Sequence, residues 1–193
     1  MELSFIQSIY QHPALSQDDY QALMQSHTPV PVRKNDFLLQ EGESSNEYYL
    51  IEKGLFRAFV TNYNGTEITT HFFGPNELLI EVSSLFQRIP TRENHQALTD
   101  GLLWKIDFED FQQWYHSLAG FNEWGRAWLS NQLFVAKQRS VDMITKSALE
   151  RYTQLMEEKP QILQTAPLKH IASYLGVTDS SLSRIRKEFS VTL

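Results

Sequence analysis

The hydrophobic period of this chain changes twice, and that pattern limits its fold more than any other feature. Residues 1–28 repeat apolar positions at helical spacing: Leu3, Ile6, Ile9 and Tyr10, then LSQDDYQALMQSH, where Ser16 is placed to cap a helix with Asp18 and Asp19 in its first turn. From Pro29 to about Asp107 the texture turns to short apolar runs broken by turn residues, among them FLLQEGE, EYYLIEKG, LFRAFVT and ALTDGLLWKID. Asn64-Gly65 sits between two alternating segments and predicts a type I′ hairpin, which needs positive φ at both central residues. Strands this short and this regular close into a barrel or a double-sheet jelly roll. After FEDFQQWYHS the helical period returns, with Phe121, Trp124, Trp128 and Val135 on one stripe and Leu129, Leu133 and Ala136 beside it. A helix from Phe121 to Ile144 would be ~36 Å long and needs a partner along its length. SALERYTQLMEEKP predicts a further helix stopped near Pro160. The expected class is α+β.

Net charge is −6, a poor match for a polyanion, but the distribution matters more than the sum. Residues 1–136 hold 8 Lys/Arg against 17 Asp/Glu, a net −9, whereas 137–193 hold 9 against 6, a net +3. The absence of cysteine excludes disulfides, thiolate zinc sites, cysteine-ligated iron–sulfur clusters and a cysteine nucleophile. No apolar run approaches the roughly 20 residues that span a bilayer, and MELSFIQSIYQ lacks a basic n-region and an apolar h-region, so a cytoplasmic location is expected, without a membrane partner. There is no Ser-His-Asp motif, phosphate-cradling glycine loop or paired-carboxylate motif, so no enzyme activity is expected. His71, His95 and Glu81 are too far apart in sequence to suggest a metal site, and each histidine reads as a strand-surface residue. Trp114 and Tyr115, like Trp124 and Trp128, read as packing groups.

The stretch HIASYLGVTDSSLSRIRKEF, His170 to Phe189, fills every structural slot of a helix-turn-helix. Ala172 is the small contact between the helices and Gly176 the turn. Ile171, Leu175, Val177, Leu182 and Ile185 face inward. Thr178 is placed to cap the second helix by accepting from the amide of Ser180 or Ser181. On that helix Ser180, Arg184 and Lys187 recur at i, i+4 and i+7, flanked by Ser181, Ser183 and Arg186, with Lys169 on the helix before. Arg can donate two hydrogen bonds to guanine, while Ser, Thr and Lys mainly satisfy phosphates. The same pattern also admits a helical hairpin that docks to protein instead of DNA.

Residues 165–189, with RYTQLMEEKP upstream, resemble the C-terminal domain of Crp/Fnr-type transcription regulators, especially a divergent branch with a motif like IASYLGVTxxSLSRIRK. GESSNEYYLIEKGLFRAF resembles the cyclic-nucleotide-binding domain of that family in its glycines, aromatic-aliphatic strand and Arg. The resemblance implies a cyclic-nucleotide-binding-like jelly roll with flanking helices as sensor (1–120), a dimerisation helix and hinge (121–144) and a helix-turn-helix domain (145–193). It implies double-stranded DNA and a second copy of the chain as partners, with RNA polymerase a further candidate. A module of the same sensor type that binds only protein is the alternative. Only four residues follow Phe189, whereas some members carry a β-hairpin wing there, so either flanking DNA contacts are made without a wing or the sequence stops short of it.

In the cyclic-nucleotide branch a short helix opening Gly-Glu-Leu and an Arg-Ser/Thr-Ala hold the phosphate and ribose. By the resemblance Ile80-Glu81-Val82 and Arg92-Glu93-Asn94 stand in these places. Glu81 and Arg92 are therefore the candidate ligand residues. Ile80 obstructs close backbone approach and Glu93 would repel a phosphate, which argues against cyclic AMP. Glu81 and Arg92 are expected to pair with each other; no cofactor is expected, and an effector of different chemistry, or none, stays open.

Overall fold

A computed structural model of the chain describes residues 1–192, with side chains to Phe189. Helices α1 (Leu3–Ile9) and α2 (Gln17–Ser26) open it, and Ser16 caps α2 in a reciprocal capping box with Asp19. Eight strands follow: β1 (Thr28–Val32), β2 (Phe37–Leu39), β3 (Glu47–Lys53), β4 (Phe56–Thr61), β5 (Glu67–Phe73), β6 (Leu78–Leu79), β7 (Asn94–Ala97) and β8 (Gly101–Asp107), with α3 (Val82–Gln87) between β6 and β7. They form two antiparallel four-stranded sheets, in the orders β1-β8-β3-β6 and β2-β7-β4-β5. Ile51, Leu79 and Leu103 from the first sheet and Phe56, Ala58 and Ala97 from the second share one buried core.

The β4–β5 hairpin forms where expected, but its turn is not type I′. Only Gly65 has positive φ, and the Asn62 side chain receives the amides of Asn64 and Thr66. An Asx turn of Asn62 thus replaces the left-handed Asn64 that a two-residue loop requires.

Helices α4 (Phe108–Ser117), α5 (Ala119–Thr145), α6 (Ala148–Glu158), α7 (Pro160–Thr165), α8 (Leu168–Leu175) and α9 (Asp179–Thr192) complete the chain. The start of α5 lies in a second core with α1, α2 and α4, where Tyr10, Trp114, Phe121 and Trp124 pack edge-on or tilted. Inside it, Tyr48 hydrogen-bonds Tyr10, Tyr10 donates to His27 Nε2, and His27 Nδ1 donates to the Leu23 carbonyl. Burial pushes His27 down to about 4, which keeps it neutral for this relay. A third core unites α6 to α9 with Leu55, Phe72 and Leu98 of the β-roll. Among the described residues no helix is long and apolar enough to cross a membrane.

Candidate nucleic-acid interface and sensor cavity

Helices α8 and α9 meet at Gly176, whose φ of +69° caps α8 in the left-handed region. An added Cβ there would also stand 2.7 Å from Cε of Met143 on α5, so the turn tolerates no side chain without a shift. Thr178 Oγ1 accepts from the Ser181 amide at 3.2 Å, the second of the two caps expected. Ile171, Ala172, Leu175, Leu182 and Ile185 are buried, and Val177 is half-buried. At about 100° per residue, Leu182, Ile185 and Phe189 cluster on one side of α9, and Ser180, Arg184 and Lys187 fall opposite them. Those three and Ser183 are exposed, as are Lys169 and Thr178, while Ser181 is half-buried. Arg186 is exposed but stands beside the buried stripe, bordering a cavity it shares with Met156, Leu163 and Leu182. All the expected face residues but Ser181 are exposed.

Several cations of the positive C-terminal segment are occupied internally. Arg139 donates to the Tyr174 carbonyl at 2.9 Å and lies 3.7 Å over the Tyr174 ring. Arg151 donates to the Leu175 carbonyl at 2.9 Å. Two guanidinium groups therefore satisfy the open C-terminal carbonyls of α8, where positive charge is favoured. Lys146 pairs with Asp142 and Lys159 with Glu77. The local charge excess is partly structural, and the exposed cations of the candidate DNA face are Lys169, Arg184, Arg186 and Lys187.

The other face of α8 lies on the β-roll. In β4, Arg57 is level with Phe72 of β5 and Gln96 of β7, so all three project from the same side of the sheet. Arg57 is only 2% exposed. Its guanidinium donates to Glu67 at 2.5 Å, to Gln96 at 2.8 Å and to His170 Nδ1 of α8 at 2.8 Å, with the Phe59 ring 3.9 Å beneath. Since Arg can only donate, His170 Nδ1 accepts, and the ring proton sits on Nε2. Burial, then the charges of Arg57 and Lys169, push His170 down to about 4. Ser173 accepts from the Thr69 amide at 3.1 Å, and Tyr174 packs edge-on against Phe72. Sequence reasoning missed this contact. The available signal was an Arg inside the uninterrupted apolar run LFRAF, where a buried cation demands a partner.

One residue along β4, Ala58 is level with both His71 and His95, so the two histidines flank a small side chain on the interior side of the sheet. The strand-surface expectation fails for His95, which is 1% exposed. Burial pushes His71 down to about 3, with Lys159 and Arg139 adding to the fall. Among the described residues no group of three His, Cys, Asp or Glu could hold a metal ion.

A cavity of about 230 Å³ opens at the end of the roll, lined on β3 by Glu47 and Tyr49, ahead of α3 by Ile80 and Glu81, and on β7 by His95. Glu81 does line it, but the expected Glu81–Arg92 pair is not formed. Glu81 is the N-cap of α3, its carboxylate accepting the Ser84 amide. Arg92 is exposed and lies outside the lining. The amide that a phosphate would need is therefore satisfied by the chain itself.

Residues 29–117 match the family model described as a cyclic nucleotide-binding domain. A stretch of 83 residues is 29% identical to the cAMP-dependent protein kinase type II regulatory subunit of Drosophila melanogaster, covering 42% of this chain and 20% of that protein. Solved structures of similar fold extend further. FixK2 from Bradyrhizobium japonicum superposes with a TM-score of 0.75 at 18% identity, covering 86% of this chain and 85% of that one. A putative transcriptional regulator of the Crp/Fnr family from Eubacterium rectale gives 0.71 at 17%, covering 92% and 85%. The β-roll is thus of the cyclic-nucleotide-binding class. With the helices after it, the chain has a fold similar to these two solved structures.

Proposed function

We propose that this chain is a transcription regulator of the Crp/Fnr type that binds a near-palindromic DNA site as a homodimer and is not controlled by cyclic AMP. The observation that carries the reading is the sidedness of α9: Ser180, Ser183, Arg184 and Lys187 are exposed opposite the buried Leu182 and Ile185. A helix held this way can enter the major groove with Arg184 at base edges and Lys169 and Lys187 at phosphates. Dimerisation through α5 would set two such helices about one DNA turn apart, roughly 34 Å. The dock of α8 on β4 and β5 supports a mechanism in which a change in the sensor biases the population of reading geometries.

Selecting bound fragments from genomic DNA tests the reading. A shared two-fold motif is expected, with affinity falling steeply as salt rises and unchanged by added cyclic AMP. Arg184→Ala should cost about 1–3 kcal/mol and relax one base preference, whereas Lys169→Ala should weaken all sequences alike. If no motif is enriched, the alternative of a protein-docking module stands instead.

A further inference from the structure

We propose, on the basis of the DNA-binding reading, that the seating of α8 on β4 and β5 is an autoinhibitory contact, which holds the α6–α9 unit against the acidic β-roll and must open before the chain binds DNA tightly. The contact is made at three places along α8. Arg57 donates to His170 Nδ1 at 2.8 Å, the Thr69 amide donates to Ser173 Oγ at 3.1 Å, and Tyr174 meets Phe72 edge-on. A further tether lies between α6 and α7, where Lys159 donates to the Phe72 carbonyl at 3.3 Å and pairs with Glu77 at 2.6 Å.

In a helix-turn-helix the first helix crosses the phosphate backbone while the second enters the groove. The dock leaves the outer face of α9 exposed, so what it obstructs is the phosphate path beside α8. Lys169, the exposed cation expected at a phosphate, immediately precedes His170, which is bound to the roll. The Arg57 that holds His170 also holds Glu67 at 2.5 Å, and the Glu67 side chain stays 44% exposed. Burial pushes the Glu67 carboxyl up, but Arg57, then His170 and Lys169, outweigh it and hold the group below the usual carboxylate range. Glu67 is therefore ionised and within electrostatic reach of Lys169. A phosphate approaching Lys169 would meet that carboxylate, on a roll within residues 1–136, which carry 8 Lys/Arg against 17 Asp/Glu.

The α6–α9 unit joins α5 through two residues, Lys146 and Ser147, both extended and not helical, which gives it a place to pivot. Opening there would also part Arg139 from Tyr174, a further contact of the closed form. The polar bonds of the dock are exchanged for bonds to water when it opens, so each holds the closed state only weakly. Phe72 and Leu55 of the roll, packed into the α6–α9 core, add the apolar part that makes the closed form the resting one. The apparent DNA affinity is then the intrinsic affinity reduced by the fraction of chains that are open.

Because the chain has no cysteine, a single engineered disulfide can lock the dock. Ser173 Oγ and Thr69 Oγ1 stand 3.2 Å apart, so sulfurs in their places need only a small shift to bond. The test is a fluorescence-anisotropy titration of the Thr69→Cys/Ser173→Cys chain, reduced and oxidised, with the DNA fragment that the wild type selects from genomic DNA. A non-reducing gel confirms that the link lies within one chain, and thermal melts confirm folding. The oxidised form should bind about tenfold more weakly than the reduced form, and dithiothreitol should restore binding. Arg57→Met loosens the dock without a cross-link and should bind about threefold more tightly than the wild type. Glu67→Gln keeps an acceptor for Arg57, removes the charge beside Lys169, and should also bind more tightly. An oxidised chain that binds as tightly as the reduced one, or an Arg57→Met chain that binds no more tightly than the wild type, overturns the proposal and leaves the DNA-binding reading intact. A wild-type chain that selects no fragment overturns both.

Discussion

The outer face of β4 and β5 and the outer face of α5 are both surfaces that a single β-roll leaves uncovered, and the chain treats them in opposite ways. The first is covered by the chain's own α8, through Arg57–His170, Thr69–Ser173 and the Phe72–Tyr174 ring contact. The second keeps Leu133 69%, Phe134 70% and Ile144 86% exposed on one long helix. An intramolecular contact needs little affinity and can be built from polar, titratable groups. An apolar seam left in water is what a second copy of the chain would cover. The comparison sets a polar, titratable contact within the chain against an apolar helix face left in water.

The largest effect is expected at the seam. Leu133→Glu with Phe134→Glu sets like charges against each other in a dimer, and light scattering should show monomers in place of dimers, with DNA affinity down on the order of a hundredfold. A wild-type chain that is already monomeric at micromolar concentration would break the comparison outright. Next comes Arg57→Met, which strips donors from His170, Gln96 and Glu67 at once. It should lower stability by about 2 kcal/mol in urea unfolding, while dimerisation persists.

A smaller, pH-dependent effect belongs to His170. Its ring faces Arg57 from β4, Glu67 from β5 and Lys169 on its own helix, and it is held at about 4 against an ordinary 6.5. A chain with α8 released binds the proton first, so the dock is fully present above about pH 6.5 and weakens as pH falls toward 4. His170→Asn keeps an acceptor near the Nδ1 position without titrating. Its unfolding midpoint should fall less than that of the wild type between pH 7 and 5, the remaining loss coming from His27 and His71. The smallest change is Ser173→Ala, about 1 kcal/mol or less, read by hydrogen exchange of the α8 amides.

The sequence made the outline of the fold legible because each period of apolar residues reports a local geometry. The switch from alternation to 3.6-residue spacing marks the roll and α5, and the spacing around Ala172 and Gly176 marks the turn between α8 and α9. Local capping was legible for the same reason, as at Ser16 and Thr178. What stayed hidden depends on partners far away in the chain. Arg57 and His170 lie 113 residues apart, and neither carries a local sign of the other. Glu81 stands where the resemblance puts a ligand-holding Glu, yet whether its carboxylate faces a ligand or its own helix is decided by a rotamer. Asn64-Gly65 misled in a similar way, because the side chain of Asn62 offers the backbone a turn that the dipeptide alone does not reveal.

The last turns of α5 join the exposed apolar face of that helix to the α8–α9 pair. Met143 abuts Gly176, and Arg139 clasps the end of α8, only a few residues beyond Leu133 and Phe134. If a second subunit grips that rod, two reading heads become the jaws of a calliper with its pivot in the seam. Their separation would then be set by the roll of one helix against its copy.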